Sequence, residues 1–194
     1  MINDEALRNK PTLTGDRIRL VPLAPAHAEA AWRTLQDPEL LRLTGTTRQF
    51  TRAEIDDWCA TRADQPDRLD LAVEDLRTGT FLGDLALNEL DRTTESASFR
   101  IALDPTVAGR GLGTQATRLL LAHAFDAVGL HRVHLEVFSY NPRAQAAYLK
   151  AGFVLEGRLR DAHLWDGTRH DILLMAALAP EWRAAPSARP APQP

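Results

Sequence analysis

Val107-Ala108-Gly109-Arg110-Gly111-Leu112-Gly113-Thr114 stands between an alternating run, Ser96 to Leu103, and a long helical stripe that begins after it. Three glycines at alternate positions let the backbone approach a ligand with its N–H groups exposed. A helix that opens directly behind such a loop adds its own free N–H groups and the positive end of its dipole. The stretch therefore reads as a strand, an anion cradle suited to a pyrophosphate, and a helix. A tight turn without a ligand is the competing reading. A nucleotide P-loop needs a Gly-Lys pair, and none is present; a dinucleotide fingerprint needs a third glycine where Thr114 stands.

Outward from the loop, punctuation sets out the other elements. Arg17 to Leu23 alternates as a first strand, and Ala28, Ala31, Trp32 and Leu35 form one helical stripe. Asp37-Pro38 is a helix N-cap followed by proline at the first helical position, and that helix stops near Gly45. Thr51 to Glu54 fits a capping box. Leu69 to Asp75, Phe81 to Leu90 and Ser96 to Leu103 read as strands. After the loop a helix runs through Val128 to Gly129, then come a strand Arg132 to Phe138 and a helix Pro142 to Ala151 closed by Gly152. Two last strands, Phe153 to Leu164 and Arg169 to Ala177, are joined by Asp166-Gly167. The order β-α-α-α-β-β-β-α-β-α-β-β predicts a mixed sheet with helices on both faces.

A second cluster runs from the strand ending at Phe138 through Asn141-Pro142-Arg143-Ala144-Gln145-Ala146-Ala147-Tyr148-Leu149-Lys150-Ala151-Gly152-Phe153. Glycine loop, helix, strand, asparagine, short helix and Gly-Phe in this order resemble the GNAT superfamily of N-acetyltransferases. The first strand, with Glu156-Gly157-Arg158-Leu159-Arg160 and Glu181-Trp182, resembles its Rim branch, whose named members acetylate ribosomal-protein N-termini. The resemblance implies a mixed α/β, mostly antiparallel central sheet of about seven strands flanked by helices, with acyl-CoA bound where two strands splay. It implies acetyl-CoA as co-substrate, no metal, and direct attack by a primary amine, either a protein N-terminus or a small molecule. A non-catalytic acyl-CoA-binding sensor or partner protein of the same fold is the alternative.

By the same resemblance, Gly109, Arg110, Gly111, Gly113 and Thr114 hold the pyrophosphate. Ile101, Leu103 and Val107 line the pantetheine arm by their main chain, and Asn141 bonds that arm. Asn141 before Pro142 also reads as a helix N-cap. Ala108 departs from the family's Gln or Arg. Tyr148 falls where relatives carry a general acid for the CoA thiolate, and it also lies on an apolar stripe. No carboxylate is singled out as base; Glu95 is chosen over Glu89 and Glu136. Arg100, His163 and Trp165 are expected to line the acceptor groove, with His134 as a further candidate.

Composition bounds the rest. The chain has 194 residues, 44% hydrophobic and 25% charged, with formal net charge −3, so no global basic field for nucleic acid exists. A domain of this size buries about 70% of its unfolded surface and folds without staples. Cys59 is the single cysteine, which excludes an internal disulfide and multi-cysteine metal sites and points to a reducing, cytoplasmic setting. No apolar run is long enough to span a membrane. Residues 1–12 are expected to be a flexible lead-in, 13–183 one acetyltransferase domain, and 184–194, rich in proline and alanine, a disordered tail. A homodimer is a further expectation.

Overall fold

The computed structural model describes residues 1–184; of the tail expected at 184–194, Ala184 ends a helix and residues 185–194 lie outside the described residues. One eight-stranded sheet organises the chain, with strand order β1-β2-β3-β4-β5-β6-β8-β7. The strands are β1 Leu13–Thr14, β2 Ile18–Pro22, β3 Leu69–Asp75, β4 Phe81–Asp91, β5 Ser96–Leu103, β6 Arg132–Phe138, β7 Val154–Trp165 and β8 Thr168–Leu178. All neighbours are antiparallel except β5 and β6. The sheet thus has the mixed, mostly antiparallel form expected, with the two-residue β1 added at one edge.

Helices α1 Asp4–Arg8, α5 Leu112–Ala122, α6 Pro142–Ala151 and α7 Ala179–Ala184 accompany α2 Ala28–Thr34, α3 Pro38–Thr44 and α4 Arg52–Thr61. Alternation along the strands sends side chains to two cores. Leu85, Leu87, Phe99, Val133 and Leu135 pack with Leu119 and Leu120 of α5 in the larger core. On the other side Leu23, Ala28, Ala31, Ile55, Cys59 and Ala72 form a smaller one under α2 and α4. Burial pushes the Cys59 thiol up to about 11, which makes it an inert core group.

Local chemistry explains most boundaries. The side chains of Asn3, Asp37, Thr51 and Asn141 cap α1, α3, α4 and α6. Gly45 and Gly152 end α3 and α6 in the left-handed conformation. After α5 the chain continues as a π-helical segment, His123–Val128, before Gly129 stops it. Asp166 and Gly167 both take positive φ, 46° and 73°, as a two-residue hairpin turn requires.

Both terminal regions of the described chain are fastened to the larger core. Residues 1–12 contain α1, held because Leu7 is 1% exposed in the larger core and Lys10 donates to the carbonyls of Leu7, Gln65 and Arg68 at 2.6 Å each. One buried leucine and one three-way ammonium contact fasten a segment too short to show periodicity. At the other end α7 buries Trp182, whose ring lies 5.5 Å from Phe125. Among the described residues no helix is long and apolar enough to cross a membrane.

Candidate active site

The sheet opens between β5 and β6. β5 pairs with β4 from Ser96 to Leu103, and β6 pairs with β8 over its full length. Between themselves β5 and β6 pair only at Ser96 with Arg132, Ala97 with Val133 and Ser98 with His134. Past Ser98 and His134 the two strands part, which leaves main-chain groups of Phe99 to Leu103 facing a wedge without a ladder partner. The wedge widens toward Leu103 and the glycine loop.

At the open end sits the cradle. Asp104 caps a 3₁₀ turn, Pro105–Val107, by accepting from the Thr106 amide at 2.8 Å. Gly109 and Gly111 follow with φ of 75° and 76°. Gly111 occupies the N-cap of α5 and brings no side-chain cap. The first amide of this region to find an acceptor is Gln115, on Gly111 O at 3.1 Å. The six amides from Gly109 to Thr114 have no acceptor among the described residues. Four other helices carry side-chain caps, whereas α5, like α2, has none. Arg17 braces the loop by donating to Arg110 O at 2.6 Å. An open pocket of about 370 Å³ adjoins it, walled in part by Arg17, Arg77 and Arg110. Ala108, the departure from the family pattern, contributes only its main chain, donating to Pro105 O.

The helix side of the wedge is aromatic. Tyr148 of α6 meets Phe99, the first β5 residue past the parting, edge-on at 6.1 Å, and lies 5.8 Å from Phe153. The ring is buried, and its hydroxyl has no hydrogen-bond partner among the described residues. Burial raises its pKa well above the ordinary phenol value, so the hydroxyl keeps its proton. Asn141, at the end of β6, accepts from the Ala144 amide at 3.1 Å, and its amide nitrogen lies 3.5 Å from Leu43 O. The capping role is present in full, and the second contact is at the weak limit.

The opposite side of the wedge carries the groove. Phe138 stacks on His163 at 4.0 Å, and His163 stacks on Trp165 at 6.2 Å. The Tyr140 hydroxyl donates to Arg42 O at 2.7 Å and lies 3.2 Å from His163 Nε2. Tyr140 also meets His170 edge-on at 4.6 Å. Desolvation, with His170 nearby, lowers the pKa of His163 and favours its neutral form. The C-terminal end of α3 closes the cluster at Gly45. His163 and Trp165 therefore share a side as their spacing predicts. Phe138, Tyr140 and Gly45 join them without having been marked by any motif, because the cluster draws on three separated segments.

Glu95 and Arg100 are engaged in ion pairs of their own. Glu95 precedes β5 at the closed end of the wedge, and its carboxylate binds the amino terminus of Met1 at 2.7 Å. The wedge opens in the other direction, so Glu95 lies away from its open end. Arg100 is on the groove side, but its guanidinium is spent on Asp84 at 2.9 Å and Asp70 at 3.2 Å, with the Trp58 ring 5.8 Å away. Arg68 binds Asp70 as well, at 2.5 Å, so the buried charges pair off internally. Arg100 is a pillar under α4 in this arrangement.

Known proteins carry the same architecture. A family model described as an acetyltransferase (GNAT) domain matches residues 17–154. The spermidine N(1)-acetyltransferase of Vibrio cholerae is 31% identical over 106 residues, 55% of this chain and 61% of that protein. The ribosomal-protein-serine acetyltransferase of Escherichia coli is 27% identical over 97 residues, 50% of this chain and 54% of that protein. The chain thus spans between half and two thirds of the length of these curated relatives. Among solved structures, spermidine N-acetyltransferase from Vibrio cholerae in complex with CoA and spermine superposes with a TM-score of 0.79 at 22% identity, covering 86% of this chain and 98% of that one. Resemblance to the Rim branch is upheld alongside likeness to polyamine enzymes. The family model accounts for well over half of the residues, and the chain belongs to the acetyltransferase (GNAT) family.

Proposed function

We propose that this protein transfers acetyl from acetyl-CoA to a primary amine by direct attack. The single observation that carries the reading is the bare N-terminus of α5 at the mouth of the β5–β6 wedge. Six unpaired amides and a helix dipole suit a pyrophosphate, and the parted strands suit an extended arm with amide groups of its own. In this reading Gly109, Arg110, Gly111, Gly113 and Thr114 hold the pyrophosphate. The main chain of Ile101 and Leu103, with Val107 leading into the loop, flanks the arm, and Asn141 adds its amide nitrogen. Arg77 and Arg110 supply positive charge for a further phosphate.

The bound co-substrate supplies a thioester carbonyl. A C–N bond forms at that carbon, the C–S bond breaks, the amine nitrogen gives up a proton to water, and the thiolate takes one. Tyr148 is the donor for the thiolate, because burial keeps its phenol protonated and no partner competes for it. A main-chain amide of β5 past the parting stabilises the oxyanion. The cluster of Phe138, Tyr140, His163 and Trp165 forms the wall along which the acceptor lies. The acceptor is a small-molecule amine or a protein N-terminus, and the setting is cytoplasmic.

Thermal shift with acetyl-CoA, followed by CoA release in the presence of spermidine or of a peptide with a free N-terminus, tests the reading. Stabilisation by acetyl-CoA in preference to ATP or NAD, with release of CoA, is the expected outcome. Stabilisation without release of CoA would favour a binding role.

A further inference from the structure

Arg17 and Arg110 are 93 residues apart, and one hydrogen bond joins them: Arg17 Nη2 donates to Arg110 O at 2.6 Å. The guanidinium also lies against Gly111, where a Cβ would stand 3.4 Å from Nη2. The base of this arm is fixed. Arg17 O accepts from Leu76 N at 2.9 Å, and Ile18, the next residue, is buried and pairs with Asp75 of β3. The turn before it packs on α5: a Cβ on Gly15 would lie 3.1 Å from Gln115 Cδ and from Leu119 Cδ1. The start of β2 and the first turns of α5 therefore hold Arg17 in place beside the loop.

The atom that Arg17 holds decides what the loop can offer. A trans peptide is planar, with its C=O and N–H pointing in opposite directions. Fixing the Arg110 oxygen on Arg17 turns the N–H of Gly111 away from Arg17, and that N–H has no acceptor among the described residues. Arg17 reaches the loop from the β2 side, whereas the wedge opens on the other side of β5, toward β6. Arg110 O has no other hydrogen bond among the described residues. Gly111, with φ of 76°, takes either sign of φ at little cost, so nothing in its own backbone stops the plane from turning over. Turned over, the peptide would set a carbonyl oxygen where an anion needs an N–H.

We propose that Arg17 is a positioning residue for acetyl-CoA: by holding Arg110 O it keeps the Gly111 amide presented to the pyrophosphate. The inference rests on the acetyl-transfer reading above and deepens it. Arg17 acts through the loop peptide. Affinity scales with the fraction of molecules whose loop is in the competent orientation, so reversal in roughly nine of ten molecules weakens binding about tenfold.

Arg17→Met tests this, since methionine keeps part of the apolar stem and removes every donor. Arg17 is exposed, and the ligand-free variant should melt within about 2 °C of the parent. Calorimetric titration should give a Kd for acetyl-CoA about tenfold or more above that of the parent. The ratio of the two Kd values should persist at about 0.5 M NaCl, where simple charge attraction is screened. A crystal structure of the ligand-free variant should show the Arg110–Gly111 peptide reversed or in two orientations. A Kd within about twofold of the parent, a ratio that vanishes at the higher salt, or a peptide left in its single parental orientation each overturns the positioning role of Arg17 alone. A parent that does not bind acetyl-CoA overturns the acetyl-transfer reading, and this proposal with it.

Discussion

A Cβ placed on Gly45 would lie 2.5 Å from Cζ of Phe138, so the C-terminal end of α3 and the end of β6 touch at a position where only hydrogen fits. Gly45 also takes φ 64°. Two different penalties act at this residue: the left-handed backbone, about 1 kcal/mol for a side chain, and the collision with an aromatic ring. Gly45→Ala should lower stability and raise the KM for the amine, because Phe138 must move and His163 is stacked on it. Gly45→Asn separates the causes, since asparagine tolerates the left-handed region but keeps the Cβ. Denaturant unfolding should find Asn no better than Ala; a return to parent stability would mean that the ring yields freely.

The glycine loop contains two kinds of glycine. Gly109 takes φ 75° with open space around a notional Cβ, whereas Gly113 has an ordinary helical backbone with Leu103 Cδ1 at 3.5 Å. Gly109→Ala should therefore destabilise by about 1 kcal/mol through the backbone alone. Gly113→Ala should be neutral or stabilising by about 0.5–1 kcal/mol, as alanine suits a helix and lowers the entropy of the unfolded chain. Urea unfolding of the two variants without ligand checks this. Equal losses in both would mean that Gly113 is also conformationally strained.

These contrasts bear on what the residues of the chain disclose before folding. Asp37-Pro38, Thr51 to Glu54 and Gly152 act on their own neighbours, so their helix ends are legible directly. The cradle is legible for the same reason: its glycines, and the lack of a Ser, Thr, Asp or Asn at the α5 N-cap, are local facts. The groove is legible only in part: the spacing of His163 and Trp165 puts them on one side, but Arg42, Gly45, Phe138 and Tyr140 join them only through strand order. Glu95 shows the difficulty most plainly. It is next to β5 in sequence, but only the pairing of Ser96 with Arg132 places it at the closed end of the wedge. Replacing it by glutamine should leave kcat/KM unchanged within about twofold; a drop of orders of magnitude would return it to the reaction.

His123 ties the end of α5 to α1, its Nε2 lying 3.3 Å from Ala6 O. Burial lowers its pKa from the ordinary value of 6.5, with the Ala6 carbonyl pulling the other way. The unfolded chain therefore binds this proton more readily than the folded one. The contribution to stability is fully present above the ordinary histidine value and is lost as pH falls through the lowered, folded value. Melting temperature should decline from about pH 6.5 toward pH 5, and His123→Gln should make that slope shallower. The protection factors of the α1 amides, each rate being referred to the intrinsic exchange rate at its pH, should fall over the same interval in the parent. An unchanged slope in the variant would place the acid sensitivity on another group.

Tyr148→Phe isolates a hydroxyl that has no hydrogen-bond partner among the described residues. With no hydrogen bond to lose and the ring contacts with Phe99 and Phe153 kept, stability should stay within about 0.5 kcal/mol of the parent. Acetyl-CoA binding, which the proposed function assigns to the loop amides, should change little. Turnover should fall by about a hundredfold or more if the phenol protonates the departing thiolate, the usual scale for general acid catalysis. An acceptor-independent check follows from leaving-group basicity. A thioester whose thiol is more acidic than that of CoA needs less protonation, so the ratio of parent to variant rates should shrink with such a substrate. Equal turnover by the two proteins with acetyl-CoA would remove Tyr148 from the reaction and leave it as a core residue of α6.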